Sequence, residues 1–386
     1  MLVVGAGPAG AALCLGLARS GIAVTLVEAA EKPGHRFRGE ALMPSGLEVL
    51  RRLGFWPLPP ELPRRSLSGW RFLVQGRPLF TVEEPLGAGP PCTLIDQPAL
   101  LAAMVDAASR EAGFRFLSGT PVTGLLHEGA RITGVRLGDG RQLAAPLVVA
   151  CDGRSSLLRE RAELAPGREP SPIDVLWHEI PAASAGELID RLEGRFVTVI
   201  GAEGSCGLFE TCRGSVQVGR VVDAGTAPPP PSAGWLGPFA AALGPPRRLP
   251  VQVGCAPRWH RPGLLLLGDA AHPMSPVRAQ GINMALRDAW VAAEVLTPVL
   301  RGPADGDRAT ALETALERIQ RLRLPEIRTI QRLQHRETLR GELLRHRAPL
   351  RRLLAATAGW SGPLLARRWV GEQHLLRVGL PLAGSA

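Results

Sequence analysis

The run LVVGAGPAGAALCLGLARSGIAVTLVE at residues 2–28 constrains this chain more than any other stretch. Three apolar residues precede Gly5-x-Gly7-x-x-Gly10, a segment of helical spacing follows, and a second apolar strand pattern ends at Glu28. A periodicity that passes from strand to helix to strand across a glycine turn is one βαβ unit, and it calls for a parallel sheet with helices packed on it. Gly5 allows the tight turn, Gly7 lets a pyrophosphate approach the backbone, and Gly10 lets the helix pack on the strand. The helix N-terminus then faces the phosphates, and Glu28, 23 residues after Gly5, is placed to accept hydrogen bonds from a ribose.

Beyond this unit the pattern comes in blocks. Residues 45–54 and 97–112 read as helices, and 66–92 alternates around a glycine turn as a hairpin does. Further strand candidates fill 114–150 and 172–222, and VQVGCAP and GLLLLGD return to strands before the helices that follow Gly281. The arginine-rich end has helical spacing that should break at Pro325, Pro349 and Gly359–Gly362. With 386 residues the chain exceeds one average core. The expected class is α/β: a Rossmann-like nucleotide-binding domain (1–65, 93–166 and 255–315) interrupted by a β-sheet substrate domain (66–92 and 167–254). A basic helical C-terminal region (316–386) completes it.

Two more turns carry chemistry. CDGRSSLLRE sets Asp152 and Gly153 after the strand pattern LVVA, and GDAAHPMSPVRAQGIN (268–283) sets Gly268 and Asp269 after LLLL. An acid at the end of a buried strand can hold sugar hydroxyls. The loop then runs into an amphipathic helix, whose first amides and dipole suit an electron-rich ring. No second strand-turn-helix glycine motif is present, so a dedicated nicotinamide domain is not expected.

Net charge is +10, but it is concentrated: from Arg318 to Glu372 there are 13 Arg against 4 Glu. Such a region meets anionic partners or forms a solvated helical face. Aromatic residues are sparse there apart from Trp360 and Trp369, and no nucleic acid partner is expected. Contact with a membrane periphery through these helices stays open. The six cysteines form no C-x-x-C pair or Cys/His cluster, so no metal site is expected, and the cysteines read as reduced core residues. No apolar run is long enough to span a bilayer and a strand pattern follows Met1 at once, so the expected location is the cytoplasm.

The three turns, in this order and spacing, resemble the class A FAD-dependent monooxygenases, the para-hydroxybenzoate hydroxylase-like flavoproteins, over roughly residues 1–300. The resemblance implies that Gly5, Gly7, Pro8, Ala9, Gly10 and Glu28 bind the ADP part of FAD. Asp152 and Gly153 would lie near the pyrophosphate, Gly268 and Asp269 at the ribityl chain, and Pro276, Gly281, Ile282 and Asn283 beside the isoalloxazine. Arg38, ahead of Gly39-Glu40, matches the family's arginine near the flavin and the nicotinamide approach, and Gln97 a residue that touches FAD.

The implied reaction reduces FAD with transient NAD(P)H and adds O2 at the flavin C4a. The hydroperoxide then hydroxylates or epoxidises a small apolar or aromatic substrate. The alternative on the same fold is a flavin-dependent reductase of isoprenoid-like substrates. Arg278-Ala279 departs from the family's usual Gly-Gly; Arg278 would restrict flavin movement, set a charge beside the ring, or point to solvent. The chain has no tyrosine. A proton relay would therefore fall to His35, His178 or His272, the last with a structural reading beside the catalytic one. Trp70, Phe72, Phe80, Trp177 and Phe209 read mostly as core, and an apolar pocket over the ring would draw on the same residues.

Overall fold

The glycine-turn unit forms as its pattern requires: strand Leu2–Val4, helix α1 (Pro8–Arg19) and strand Val24–Val27. The computed structural model describes residues 1–31, 40–87, 89–165, 167–228, 234–303 and 306–381. Leu2–Val4 lies near the middle of a six-stranded sheet, between Val24–Val27 and Val148–Ala150, with Leu264–Leu266 next beyond. These four strands run parallel, and Val4, Ala150 and Leu266 stand level in register. Three turns far apart in sequence thus leave the same sheet edge side by side. The crevice outside the carboxyl ends of parallel strands is where such folds bind ligands. The three-residue central strands are buried throughout, as strands covered on both faces must be.

Helices α2 (Pro44–Arg52), α3 (Gln97–Ser109) and α4 (Leu157–Arg161) complete this half with α6 (Gln280–Arg301). The segments expected to form the substrate domain join in one seven-stranded sheet. Its strands, in spatial order, are Arg247–Gly254, Arg168–Ile180, Val216–Asp223, Gly204–Glu210, Arg195–Gly201, Gly69–Val74 and Arg77–Glu83. All neighbours are antiparallel except Arg195–Gly201 with Gly69–Val74, the parallel seam that closes the two segments into one sheet. Helix α5 (Ala182–Leu192), inside a stretch expected to hold strands, covers the outer face with buried Ala185, Leu188 and Leu192. Those residues fall at i, i+3 and i+7, a helical spacing that the alternating segments on either side obscure.

The C-terminal region departs furthest from expectation. Helix α7 (Gly306–His346) crosses the anticipated boundary at 315/316 and continues through Pro325. Helix α8 (Ala348–Val378) begins at the expected Pro349 break and continues through Gly359, Gly362 and Pro363. Gly362 is a packing position: a Cβ there would lie 2.2 Å from Leu79 O on the hairpin. Glu84, with a fully buried side chain, accepts from Arg377 Nη2 at 2.7 Å and from Trp70 Nε1 at 2.7 Å, pinning the end of α8 to the sheet. Among the described residues no helix is long and apolar enough to cross a membrane.

Between α6 and α7 lies a buried ionic cluster. Asp288 Oδ1 accepts from Arg323 Nε at 2.7 Å, and Asp288 Oδ2 meets His272 Nε2 at 2.6 Å and accepts from Gly268 N at 3.2 Å. Arg323 also pairs with Glu326, which Arg287 contacts at 2.9 Å. Burial alone would raise the Asp288 pKa, but His272 and Arg323 hold it below the usual carboxylate value. Breaking such a cluster strands a charge in the interior. Arg323→Met is expected to lower unfolding stability by about 3–5 kcal/mol. Chemical denaturation checks this, and a loss within about 0.5 kcal/mol, as at an ordinary surface site, would contradict it.

Candidate functional site

One cavity of about 1220 Å³ runs from the three turns to the seven-stranded sheet and the C-terminal helices. At its first end stand Gly7, Pro8 and Ala9. Proline occupies the start of α1, and no side chain caps the helix. The leading amides are therefore free to meet an anion. Nothing lies within 4 Å of a Cβ built on Gly7. Gly5 and Gly10 do not line the cavity. Gly5 turns the chain at φ 101, and a Cβ on Gly10 would sit 1.9 Å from Gly5 O. Glu28 is also off the wall and braces the turn, accepting from Ala6 N at 2.7 Å and Ala30 N at 2.9 Å. A carboxylate has about four acceptor positions, so two amides leave capacity for ribose hydroxyls.

Asp152, Gly153 and Asp269 line the next part of the cavity. Asp152 is engaged locally, accepting from Ser156 Oγ at 2.5 Å and Leu158 N at 3.0 Å, and burial raises its pKa. Asp269 Oδ2 accepts from Arg154 Nε at 3.0 Å. Gly268, at φ 60, sits behind the wall and donates its N–H to Asp288. Gln97 reaches the cavity from the first turn of α3, whose cap is Asp96 accepting from Ala99 N at 2.8 Å.

Pro276, Gly281 and Ile282 line the middle of the cavity, whereas Asn283 does not. Asn283 is fully buried behind the wall, where its Oδ1 accepts from Met43 N at 2.9 Å and its Nδ2 donates to Ala41 O and Ala279 O at 3.1 and 2.8 Å. It holds the loop to a neighbouring strand. His272 is likewise placed in the Asp288 cluster, 1% exposed and away from the cavity. Its Nε2 is committed to Asp288, which accords with the structural of the two readings of this residue. His178 is buried off the wall too, with Nδ1 at 2.9 Å from Gly244 O. Arg38 and His35 lie outside the described residues.

Arg278 does not point to solvent. Its side chain is 9% exposed, Nε donates to Glu337 Oε2 at 2.6 Å, and the guanidinium stands 4.7 Å from the Trp369 ring centroid, with Phe72 and Trp70 at 5.2 and 5.4 Å. Glu337 is also held by Gln373 Nε2 at 2.9 Å. The backbone is left-handed at both Arg278 (φ 62) and Ala279 (φ 50), the conformation a Gly-Gly pair would adopt freely. Each such residue costs roughly 1–2 kcal/mol, offset here by the ion pair and the aromatic box.

The far wall is aromatic. Trp70, Phe72, Phe80, Trp177 and Phe209 all line it, and Phe196 joins them, stacked 5.7 Å from Phe209. Sequence reasoning did not find Glu40 as a site residue. It lines the cavity next to Ala41, its Oε2 is buried without a hydrogen-bond partner among the described residues, and its pKa is pushed up to about 7. Burial is the main cause, with Asp96 and Glu179 adding to it and Arg213 opposing. The other cavity carboxylates are engaged: Glu337 by Arg278, and Glu372 by Arg340 and Arg368. Glu342, also on the cavity lining, clusters with Asp223 and His346 within 4.8 Å, and Arg345 bonds both carboxylates.

Residues 1–207 and 241–322 match the family described as FAD binding domain. The chain belongs to this family of class A flavoprotein monooxygenases. It is 34% identical over 352 residues to 6-methylpretetramide 4-monooxygenase of Streptomyces rimosus, covering 86% of this chain and 82% of that one. It is 29% identical over 375 residues to a 3-amino-4-hydroxybenzoate 2-monooxygenase of Streptomyces platensis, covering 86% and 85%. In fold it is similar to PqsL of Pseudomonas aeruginosa, solved with 2-aminobenzoylacetate, at TM-score 0.75 and 23% identity, covering 92% of this chain and 98% of that one. This flavoprotein is thus an FAD-dependent monooxygenase.

The residues present suit FAD, with uncapped amides and open space at Gly7 for a diphosphate and a carboxylate at Asp269 for hydroxyls. Gly7→Val is expected to weaken FAD binding about ten-fold or more while leaving the apoprotein folded, since the added methyls enter only the phosphate space. Gly10→Ala is expected instead to destabilise the apoprotein itself, by about 1–3 kcal/mol. Flavin fluorescence titration and thermal unfolding of the two variants separate these outcomes.

Proposed function

We propose that this monooxygenase hydroxylates a flat, multi-ring phenolic substrate, lodged between the aromatic face of the seven-stranded sheet and the flavin loop. The observation that carries the reading is the single cavity that joins the α1 N-terminus to a wall of Trp and Phe rings. Ligand sites usually run to about 300–1,000 Å³, so this one has room for the flavin end and a sizeable partner together. The relative acting on 6-methylpretetramide supports a polycyclic substrate.

The proposed holders of FAD are Gly7, Pro8 and Ala9 at the diphosphate, Glu28 at the adenosine ribose, and Asp152, Gly153 and Gln97 along the middle. Asp269 would hold the ribityl chain, and Pro276, Gly281 and Ile282 the ring. FAD, reduced by NAD(P)H, supplies the oxygen-activating chemistry. The chain orients the substrate, keeps water from the ring and handles the proton. Arg278 fixes the flavin loop by tying it to α7 and places a cation at the cavity wall. With no histidine among the described lining residues, Glu40 is proposed to take the phenol proton. A carboxyl group poised near neutrality suits that exchange. The proposed location is the cytoplasm, in keeping with six free cysteines.

The reaction class is tested by turnover under ¹⁸O₂ with NADPH and a tetracyclic phenolic polyketide. One labelled oxygen atom in the product is expected. Saturation of the substrate without label, or turnover that proceeds anaerobically, would instead support a reductase. The Glu40 role makes a separate prediction. The base is active when ionised, so kcat/KM should rise with pH through about 7, the value that burial gives this group. Glu40→Gln should lower kcat/KM by roughly 10²–10⁴-fold and abolish that inflection. An unchanged inflection in the variant would remove Glu40 from the mechanism.

A further inference from the structure

The outer face of the C-terminal helices has a composition that folding alone does not require. Large hydrophobic side chains stand exposed on α8 at Leu353 (59%), Trp360 (70%) and Leu364 (62%). Their spacing of i, i+7 and i+11 puts them in one stripe along the helix. Leu339 and Leu343, one turn apart and also exposed, extend apolar surface onto the adjoining end of α7. The opposite face of α8 is fully used: Gly362 packs on the hairpin, and Trp369 lines the cavity. The stripe therefore has no partner within the described residues.

The charge around the stripe has one sign. From Leu343 to Gly371 there is no acidic residue, and the stretch holds six arginines. Arg345 is spent on Glu342 and Asp223, Arg351 is buried against backbone carbonyls, and Arg368 pairs with Glu372. Arg347, Arg352 and Arg367 are exposed, and no described acidic group pairs with them. Arg352 adjoins Leu353, and Arg367 lies one turn beyond Leu364, so both border the stripe along one side. A helix face with an apolar Trp/Leu stripe bordered by arginines is the composition that lies in a lipid interface, with stems in the acyl boundary and cations at the headgroups. Leu343, on the adjoining end of α7, is half exposed and also lines the cavity.

We propose that this face of α7 and α8 docks on an anionic lipid surface, with Trp360, Leu353 and Leu364 in the interface and Arg347, Arg352 and Arg367 at the headgroups. Charge complementarity selects this occupant. A second copy packed through the same face would bring arginine against arginine, and the nearest carboxylates, Glu342 and Glu372, are already paired with Arg345, Arg340 and Arg368. The docked orientation presents Leu343, a residue of the cavity wall, to the bilayer, where an apolar substrate would be concentrated.

The test is sedimentation of the holoenzyme with vesicles of phosphatidylcholine alone or mixed with phosphatidylglycerol, at low and high salt. Two variants accompany it, Trp360→Ser/Leu364→Ser and Arg352→Glu/Arg367→Glu. Both change exposed positions, and retained FAD content confirms that they fold. Binding is expected to the anionic vesicles at about 0.1 M salt, to weaken at high salt, and to fall roughly ten-fold or more in each variant. No sedimentation of the parent at low salt overturns the proposal. So does binding that the Trp360/Leu364 variant leaves unchanged, which would mark a charge-only site for an acidic macromolecule. A parent dimer in light scattering that this variant makes monomeric would assign the stripe to a second copy and also overturn it.

Discussion

Asp288 is the group on which the rest of the site depends. It is fully buried, and its two oxygens are taken by Arg323 of α7, by His272 and by the N–H of Gly268. One carboxylate thus fixes the turn that carries Asp269, the helix that follows the flavin loop and the long helix that walls the cavity. A buried charge is costly unless every partner is present, so these pieces hold one arrangement. The parallel register of Leu2–Val4, Val148–Ala150 and Leu264–Leu266 then sets the other two turns beside it.

The loop at 275–281 is built differently from a flexible Gly-Gly loop. Arg278 and Ala279 hold left-handed backbone, and the side chain of the first is locked to Glu337 inside a box of three aromatic rings. Gln280 adds a second tie, donating to Arg278 O and to Leu376 O of α8, each at 2.9 Å. Loop, α7 and α8 therefore form one body, and the cavity is closed by the C-terminal helices as much as by the substrate sheet. The same helices carry a binding wall inside and an apolar, cationic face outside.

Much of this was legible in the chain. Glycine turns after strand patterns report local backbone needs, so the βαβ unit, both later turns and the hairpin at 66–92 could be read directly. The aromatic residues of the sheet were legible too, but not whether they filled a core or lined a cavity, because alternation puts Trp70 and Phe72 on one face without saying what that face meets. What could not be read from the chain shares a cause: each feature depends on a partner remote in sequence. Asn283 and His272 sit in the expected loop but turn to Met43 and Asp288, and nothing local distinguishes facing a ring from facing the core. Gly362 resembles a helix breaker until the hairpin carbonyl it accommodates is known. Glu40 became a candidate only when burial beside Asp96 and Glu179 was visible. Helix α5 had the right spacing at Ala185, Leu188 and Leu192, hidden among strand-like neighbours.

The central claim is that three turns from one sheet edge hold a single FAD from its adenosine to its ring. The most direct measurement is equilibrium titration of the apoprotein with FAD, repeated in the presence of ADP and, separately, of riboflavin. The account predicts one FAD per chain and competition by each half-molecule, both weaker than FAD because each fills only one end of the cavity. Stoichiometric FAD binding that neither half displaces, or a folded chain that takes up no FAD, would contradict it.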